Sequence, residues 1–338
     1  MKENIELLDE VVVVGYSAQK KVNLTGSVAS VNSDVLAARP IHNAVTGLQG
    51  SLPGVSITNT TSRPGDNNTS IRIRGIGTLN NSNPLILIDG VEGNINTLNP
   101  SDIESVSVLK DAASSAIYGS RAANGVILVT TKKANKDMTP TITYSGFFAL
   151  QTPTALPEMC DAVEYLTLLK EATANVGKPW GYTQEDVDAV INRTDLNNRA
   201  NVNWVDELYR STAPQHGHNV SLNGGSKSLG YYLSYGNLST SGLFVGNGYH
   251  ASRNNLRVKV TTTMLDRVKI DANFGYTDVD NWTPASSDSS SDGLFYKALR
   301  SSPLTPVRFT DGGWGYGGSS ANPIAIIYDG CLLYTSPS

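Results

Sequence analysis

From residue 141 onward the sequence repeats stretches of about ten residues in which apolar and polar side chains alternate. The first reads Thr141-Ile142-Thr143-Tyr144-Ser145-Gly146-Phe147-Phe148-Ala149-Leu150, and similar stretches occupy residues 216–223, 229–238, 252–262 and 268–279. Successive side chains of a strand point to opposite faces, so a period of two marks a strand whose two faces meet different surroundings. Each stretch has about the length that a tilted strand needs to cross a bilayer core, roughly 10 residues. Their connections alternate as well. Residues 151–215 form a long insertion with a helical stretch around 161–174, Gly224-Gly225-Ser226-Lys227 is tight, 239–251 is longer, 263–267 is short, and a long Ser- and Gly-rich stretch follows Asp280. Short turns on one side and long loops on the other are the habit of a transmembrane barrel, while a soluble sandwich would share some of these features.

Composition narrows the classes further. The 338 residues carry a net charge of -4 with only 17% charged side chains, which gives nucleic acid no basic surface to bind. With 31 glycines, 15 tyrosines and a mean hydropathy of -0.20, the chain suits many short strands and turns. It contains no apolar run of about 18 residues, so a spanning helix is excluded and spanning strands are not. The start, Met1-Lys2-Glu3-Asn4-Ile5-Glu6, has neither the apolar run nor the cleavage site of a secretory signal; for an exported protein this places the natural start upstream. Cys160 and Cys331 supply neither a disulfide framework nor metal-ligand spacing.

Upstream of the alternating region, residues 22–133 read as a small α+β domain. Strands are expected at 27–31, 55–58, 70–74, 84–88, 103–109 and 125–131, and short helices at 43–48 and 111–118. Its turns are explicit: Asp89-Gly90 after an apolar run, Asn99-Pro100-Ser101-Asp102, and Asn124-Gly125. Gly75, Gly90, Gly119 and Gly125 are placed where positive φ or close backbone approach is needed. Before this domain stands Asp9-Glu10-Val11-Val12-Val13-Val14-Gly15-Tyr16. Such a β-branched run is either a buried strand or a segment that adds to the sheet edge of a partner.

Four blocks then occur in order: Ile71-Arg72-Ile73-Arg74-Gly75; Pro84-Leu85-Ile86-Leu87-Ile88-Asp89-Gly90-Val91; the stretch from Asp102 through Glu104 to Lys110, Asp111 and Ala113; and the stretch from Ala116 through Tyr118, Gly119, Arg121, Asn124 and Gly125 to Ile127. Together they resemble the plug domain of the SusC/RagA family of TonB-dependent outer-membrane transporters, over about residues 8–133. The resemblance implies an α+β plug followed by the first antiparallel strands of a transmembrane β-barrel, 22-stranded in the full-length family. Residues 136–329 are too few for such a barrel, and the signal peptide and small N-terminal extension domain common in the family are not seen, so the chain is expected to be truncated at both ends. The expected divisions are 1–21 for an extended segment with the TonB box, 22–135 for the plug, 136–329 for barrel strands with long outer loops, and 330–338 for a tail foreign to the fold.

The resemblance also implies roles. Asp9, Glu10, Val11, Val12, Val13, Val14, Gly15 and Tyr16 would form the TonB box that pairs with TonB. The plug charges Arg72, Arg74, Asp89, Glu104, Lys110, Asp111 and Arg121 are latch candidates, able to pair within the plug or with the barrel wall. Asn80, Asn81 and Asn83 would face the outer vestibule. Trp180, Tyr182, Trp204 and Tyr209 in the long first loop either touch substrate or pack that loop's own core. A SusD-like surface lipoprotein, outer-membrane lipid and an oligosaccharide or peptide cargo are the implied partners, and no metal or other cofactor is called for. An outer-membrane receptor, adhesion or signal-transducing protein that binds ligand without transport is the alternative. Enzyme chemistry finds no support: His42, His216, His218 and His250 are scattered, and no nucleophile elbow, phosphate loop or dinucleotide fingerprint occurs.

Overall fold

The structure, a computed structural model, describes residues 11–14, 17–20, 28–33, 43–59, 64, 69–75, 82–111, 115–246, 249–264, 267–283, 293–315 and 322–329. Asp9, Glu10, Gly15, Tyr16, Asn80, Asn81, His42, Cys331 and the tail at 330–338 lie outside these residues.

The Val run is a strand, β1 (Val11–Val14), paired antiparallel with β2 (Ser17–Lys20), Val11 opposite Lys20 and Val14 opposite Ser17. The plug is built on a five-stranded sheet of β3 (Val28–Asn32), β6 (Leu85–Ile88), β7 (Val91–Glu92), β8 (Ile103–Leu109) and β9 (Val126–Thr131), in the order β3-β8-β9-β6-β7. A separate hairpin joins β4 (Val55–Asn59) to β5 (Thr69–Ile73). Strands β6 and β9 run parallel, Leu85 beside Val126, which the long crossover between them permits.

Continuous apolar runs mark strands covered on both faces. In β9, Val126 and Leu128 join one cluster with Leu85, Leu87 and Leu109, while Ile127 and Val129 join another with Val45, Leu48, Ile57, Ile71 and Val106. Helix α1 (Ala44–Leu48) lies over the second cluster and starts where expected, its first turn capped by Asn43, whose side chain accepts from Val45 N at 2.9 Å.

Of the expected helix at 111–118, residues 112–114 lie outside the described ones; Ser115 is helical, its N–H donating to Asp111 O at 3.1 Å, and a 3₁₀ segment follows at Ala116–Ala122. Gly119 inside it has φ 66° and ψ -155°, a conformation that no continuous helix contains.

The alternating stretches form one sheet of five consecutive strands: β10 (Met138–Gln151), β11 (Ala213–Gly225), β12 (Leu229–Ser241), β13 (His250–Met264) and β14 (Val268–Trp282). Each runs a few residues past its expected bounds, because pairing continues beyond the stretch in which hydropathy alternates. One face exposes Ile142, Phe148, Val220, Leu233, Ile270 and Phe274. The other face carries Asn219, Ser221, Ser234, Arg253, Asn255 and Arg257, all buried. That is the reverse of a water-soluble sheet and matches a wall with lipid outside and a polar lumen inside.

Compactness divides the chain differently from its order in sequence. The plug and the greater part of the five-strand wall form one unit; residues Leu150–Gln215, Thr240–Ala251 and Asn281–Ser338 form the other. In the second unit, α2 (Ala162–Asn175) and α3 (Gln184–Asn192) each begin with a capping box, Asp161 with Glu164 and Thr183 with Asp186. A separate core there gathers Trp204 and Leu208 of α4 (Trp204–Leu208), Leu294 and Ala298 of α5 (Leu294–Arg300), and Ile324 and Ile326 of α6 (Pro323–Asp329), with Phe244 and Tyr249.

Gly125 illustrates how tightly the plug is packed. Its φ is 87°, and a Cβ there would lie 2.8 Å from Ile73 Cδ1 and 3.1 Å from Leu109 O; Gly90, at φ 89°, has nothing within 4 Å. Gly90→Ala is expected to cost about 1–2 kcal/mol of left-handed strain, and Gly125→Ala about 1–3 kcal/mol more through overpacking. Urea denaturation of the two variants should rank them in that order.

Candidate functional site

The site is built where the plug meets the inward row of the wall. In β13 the period of two sends Arg253, Asn255, Arg257 and Lys259 inward, between Leu256, Val258 and Val260. Facing them are two plug carboxylates. Asp89 leads the tight turn after β6, with φ 49°, and Asp102 ends the 3₁₀ turn that Asn99 caps ahead of β8.

Asp89 is the most heavily engaged. Its Oδ1 accepts from Thr131 N at 2.9 Å; its Oδ2 accepts from Thr131 Oγ1 at 2.6 Å and from Asn273 Nδ2 at 2.8 Å. Lys259 Nζ stands 2.9 Å from the same Oδ2 and also donates to Thr131 O at 3.2 Å. Arg257 lies between the acids, Nη1 3.8 Å from Asp89 Oδ2 and Nε 3.7 Å from Asp102 Oδ2. Asp102, whose side chain is only 2% exposed, accepts from Tyr232 Oη at 2.9 Å. Two acids and two bases therefore share one enclosure. Burial pushes the Asp89 carboxyl up, but the paired Thr131 hydrogen bonds and the nearby Lys259 ammonium outweigh it and hold the group below the ordinary Asp value.

A second row of contacts lies nearer the start of β13. Arg253 Nη1 donates to Asn96 O at 3.0 Å, Asn255 Nδ2 to Thr97 O at 2.7 Å, and Asn99 Nδ2 to Asn219 Oδ1 at 2.7 Å. Beside it a cavity of about 590 Å³ separates plug from wall, bordered by Ser101 and Lys132 on one side and by Thr143, Ser145 and Ser221 on the other.

The other latch candidates stay within the plug. Arg74 Nη2 pairs with Asp111 Oδ1 at 2.6 Å, Arg121 with Glu92, and Lys133 Nζ lies 3.9 Å from Glu104. Arg72 donates to Asn83 Oδ1 and to Ile71 O rather than forming an ion pair among the described residues. The Lys110 ammonium lies near Gly54, and Tyr118 packs beside the cluster of Leu85, Leu109 and Val126. Gly75, Gly90, Gly119 and Gly125 all have positive φ, and Asn124 Nδ2 donates to Asn83 O at 3.4 Å.

The loop aromatics follow the second of the two readings. Trp204 is 2% exposed in the core of its own unit, its Nε1 donating to Ser302 O at 2.9 Å, and Trp180 packs with Tyr182 under the Lys170 ammonium. Trp180 and Trp204 are thus occupied in packing, because a long loop that folds compactly needs apolar side chains for its own interior. His218 Nδ1 lies 2.8 Å from Tyr144 Oη, and the rings of His216 and His218 are 5.8 Å apart. Sequence reasoning missed Arg257, Lys259, Asn273, Tyr232 and Thr131. The available signal was the inward row Arg253-x-Asn255-x-Arg257-x-Lys259, which places cations on the enclosed face of a strand.

A sheet-based plug held by buried ion pairs against a wall that is polar inside and apolar outside defines a plugged barrel wall. The family model TonB-dependent Receptor Plug Domain matches residues 20–126. The chain is 40% identical over 254 residues to the TonB-dependent receptor SusC of Bacteroides thetaiotaomicron, covering 72% of this chain and 24% of that protein. It is 33% identical over 334 residues to a TonB-dependent receptor of Formosa agariphila, covering 94% of this chain and 31% of that one. A solved structure of the RagAB peptide transporter matches with TM-score 0.72 and 26% identity over 89% of this chain and 37% of that chain. The chain belongs with the SusC/RagA-like TonB-dependent receptors, of which it carries the plug and wall strands; it spans about a quarter to a third of the length of the curated relatives it matches.

Asp89→Asn leaves Lys259 enclosed without its carboxylate and should cost about 3 kcal/mol in denaturant unfolding, with Asp89→Leu/Lys259→Leu costing less than the sum of its single changes. Because the folded Asp89 pKa is depressed, its stabilisation is complete above the ordinary Asp value of about 3.9 and is lost as pH falls further, toward the folded pKa. Unfolding profiles between pH 7 and pH 2.5 should show that loss in the native chain and not in Asp89→Asn.

Proposed function

We propose that this chain forms the gate and the energy-coupling segment of an active importer in a bacterial outer membrane. The observation that carries the reading is the division of labour within the plug. Its sheet is pinned to the wall through Asp89 and Asp102, while among the described residues the Val11–Val14 strand pairs with the neighbouring β2 in a separate two-stranded sheet. A pinned body blocks the lumen, and an edge strand offers backbone groups to a partner.

In this reading substrate binds from the long-loop side above the plug and shifts the ordering of the segment around Val11–Val14. TonB pairs with that segment on the periplasmic side and pulls, remodelling part of the plug so that cargo passes. The inner-membrane proton gradient supplies the energy. Oligosaccharides or peptides are the cargo classes, a SusD-like surface lipoprotein is the lid, and no metal or nucleotide takes part.

Labelled-substrate uptake in cells carrying the full-length gene tests the reading. Val12→Pro and Val14→Pro each remove a backbone donor from the pairing strand, and uptake should fall at least tenfold while surface display and ligand binding persist. Unchanged uptake would transfer support to a receptor that binds without transport. Gentle purification of the full-length protein should also bring down a surface lipoprotein.

A further inference from the structure

The outward face of the wall changes character part-way along its strands, and the change runs across the sheet at one height. On β14 the outward side chains read Val268, Ile270, Ala272, Phe274 and Tyr276, then Asp278 and Asp280. Alternation sends Asn273 and Thr277 to the other face, where they meet Asp89 and Asn255.

The neighbouring strands switch in step. Asn255 on Thr277 and Thr261 on Asp271 fix the register of β13 against β14, and Thr263 N donating to Ser228 O at 3.0 Å fixes that of β12 against β13. These registers put Leu256 and Tyr235 in line with Tyr276, and Asn254 and Asn237 in line with Asp278. Asn219 against Gly236 and Phe147 against Gly217 carry the rows on to β11 and β10. Val220 and Tyr144 thus join the row of Tyr276, and His218 joins the row of Asp278. One row further toward the long loops stand His216, Ser239, Ser252 and Asp280, with Phe148 on the end strand β10 as the apolar exception.

A wall with a single solvent outside would have no cause for such a step. Two surroundings, one above the other, account for it, and the tyrosines lie at their border. Tyr144 Oη is 2.8 Å from His218 Nδ1, and Tyr235 Oη donates to Asn254 Oδ1 at 3.0 Å, so each ring sits in the apolar row with its hydroxyl held by the polar one. Asn237 Nδ2 donates to the same Asn254 oxygen at 2.8 Å, which ties the polar row together sideways. An aromatic ring with its body in hydrocarbon and its polar tip among head groups takes this arrangement.

The height agrees with the chemistry. From Val268 to Tyr276 the strand rises about 27 Å, which at a tilt of about 40° stands about 20 Å high, close to the apolar band of roughly 25 Å that such walls present. Carrying the band on to Asp280 would make it about 30 Å high and set two carboxylates against acyl chains.

We propose that the acyl region of the outer leaflet ends between the row of Tyr144, Tyr235 and Tyr276 and the row of His218, Asn237, Asn254 and Asp278, and that the polar rows stand among lipid head groups. The wall then projects beyond the hydrocarbon on its long-loop side, and Tyr144 and Tyr235 set its depth. This inference concerns how the wall is seated in the membrane and holds whatever the protein carries.

The test is spin-label accessibility on the full-length protein, its natural cysteines replaced by serine, reconstituted into dimyristoylphosphatidylcholine vesicles. Labels at Leu233→Cys and Val258→Cys lie below the border, and labels at Ser239→Cys and Ser252→Cys lie above it; two positions on each side keep one misfolded variant from deciding the result. Oxygen concentrates in the acyl region, whereas a neutral nickel chelate stays in water and head groups. Relaxation by oxygen should exceed relaxation by nickel at Leu233 and Val258, and the order should invert at Ser239 and Ser252. Three results overturn the proposal: oxygen preference at Ser239 and Ser252, which carries acyl chains over the polar rows; collision with neither reagent there, which gives those rows to a second copy of the chain; and nickel preference at Leu233 and Val258, which takes the apolar rows out of lipid.

Discussion

Two carboxylates and two cations are withdrawn from water at the junction of plug and wall, and that enclosure sets the terms for the rest of the unit. Lys259 and Arg257 have side chains 13% and 10% exposed, and Asp102 has 2%. Any one of these groups enclosed alone would cost several kcal/mol. The four are tolerable only together, and only while β13 keeps its inward row opposite the turn at Asp89 and the start of β8. The arrangement specifies register: a slip of β13 by one residue would turn Arg257 and Lys259 toward the apolar exterior and Val258 toward the acids.

Dependence spreads outward from there. Thr131, which grips Asp89 through both its amide and its hydroxyl, ends β9, and β9 sits between β8 and β6 in the plug sheet. The latch therefore acts on the central strands, and through them on the clusters around Val106 and Val126. Among the described residues the β1–β2 hairpin forms a two-stranded sheet of its own, and β1 lies against β9 of that ladder.

Much of this was legible in the sequence because it follows from local rules. The period of two in residues 141–150 and its repeats marked the wall strands. The β-branched run at Val11–Val14 marked a strand, and Gly75, Gly90, Gly119 and Gly125 marked positive φ. The partners of the charges were not legible. Asp89, Arg74 and Arg121 are similar in kind, yet Asp89 reaches the wall while Arg74 and Arg121 close on Asp111 and Glu92. That choice depends on which plug turn faces β13, a matter of tertiary placement. The loop tryptophans carried the same ambiguity, since an aromatic that binds cargo and one that fills a loop's interior have the same local signature. The 3₁₀ segment at Ala116–Ala122 runs past the expected helix, with a break at Gly119 that composition only hinted at.

The claim on which the account turns is that a wall side chain stabilises the central strands of the plug. Native-state hydrogen exchange of the folded protein, comparing the natural chain with Lys259→Met, tests it most directly. The account predicts faster exchange at the β9 amides, Val126 to Thr131, although the substitution lies on another strand in the wall, with the β4–β5 hairpin much less affected. Unchanged protection across β9 would show that the plug sheet holds itself together without the wall, and would contradict the account.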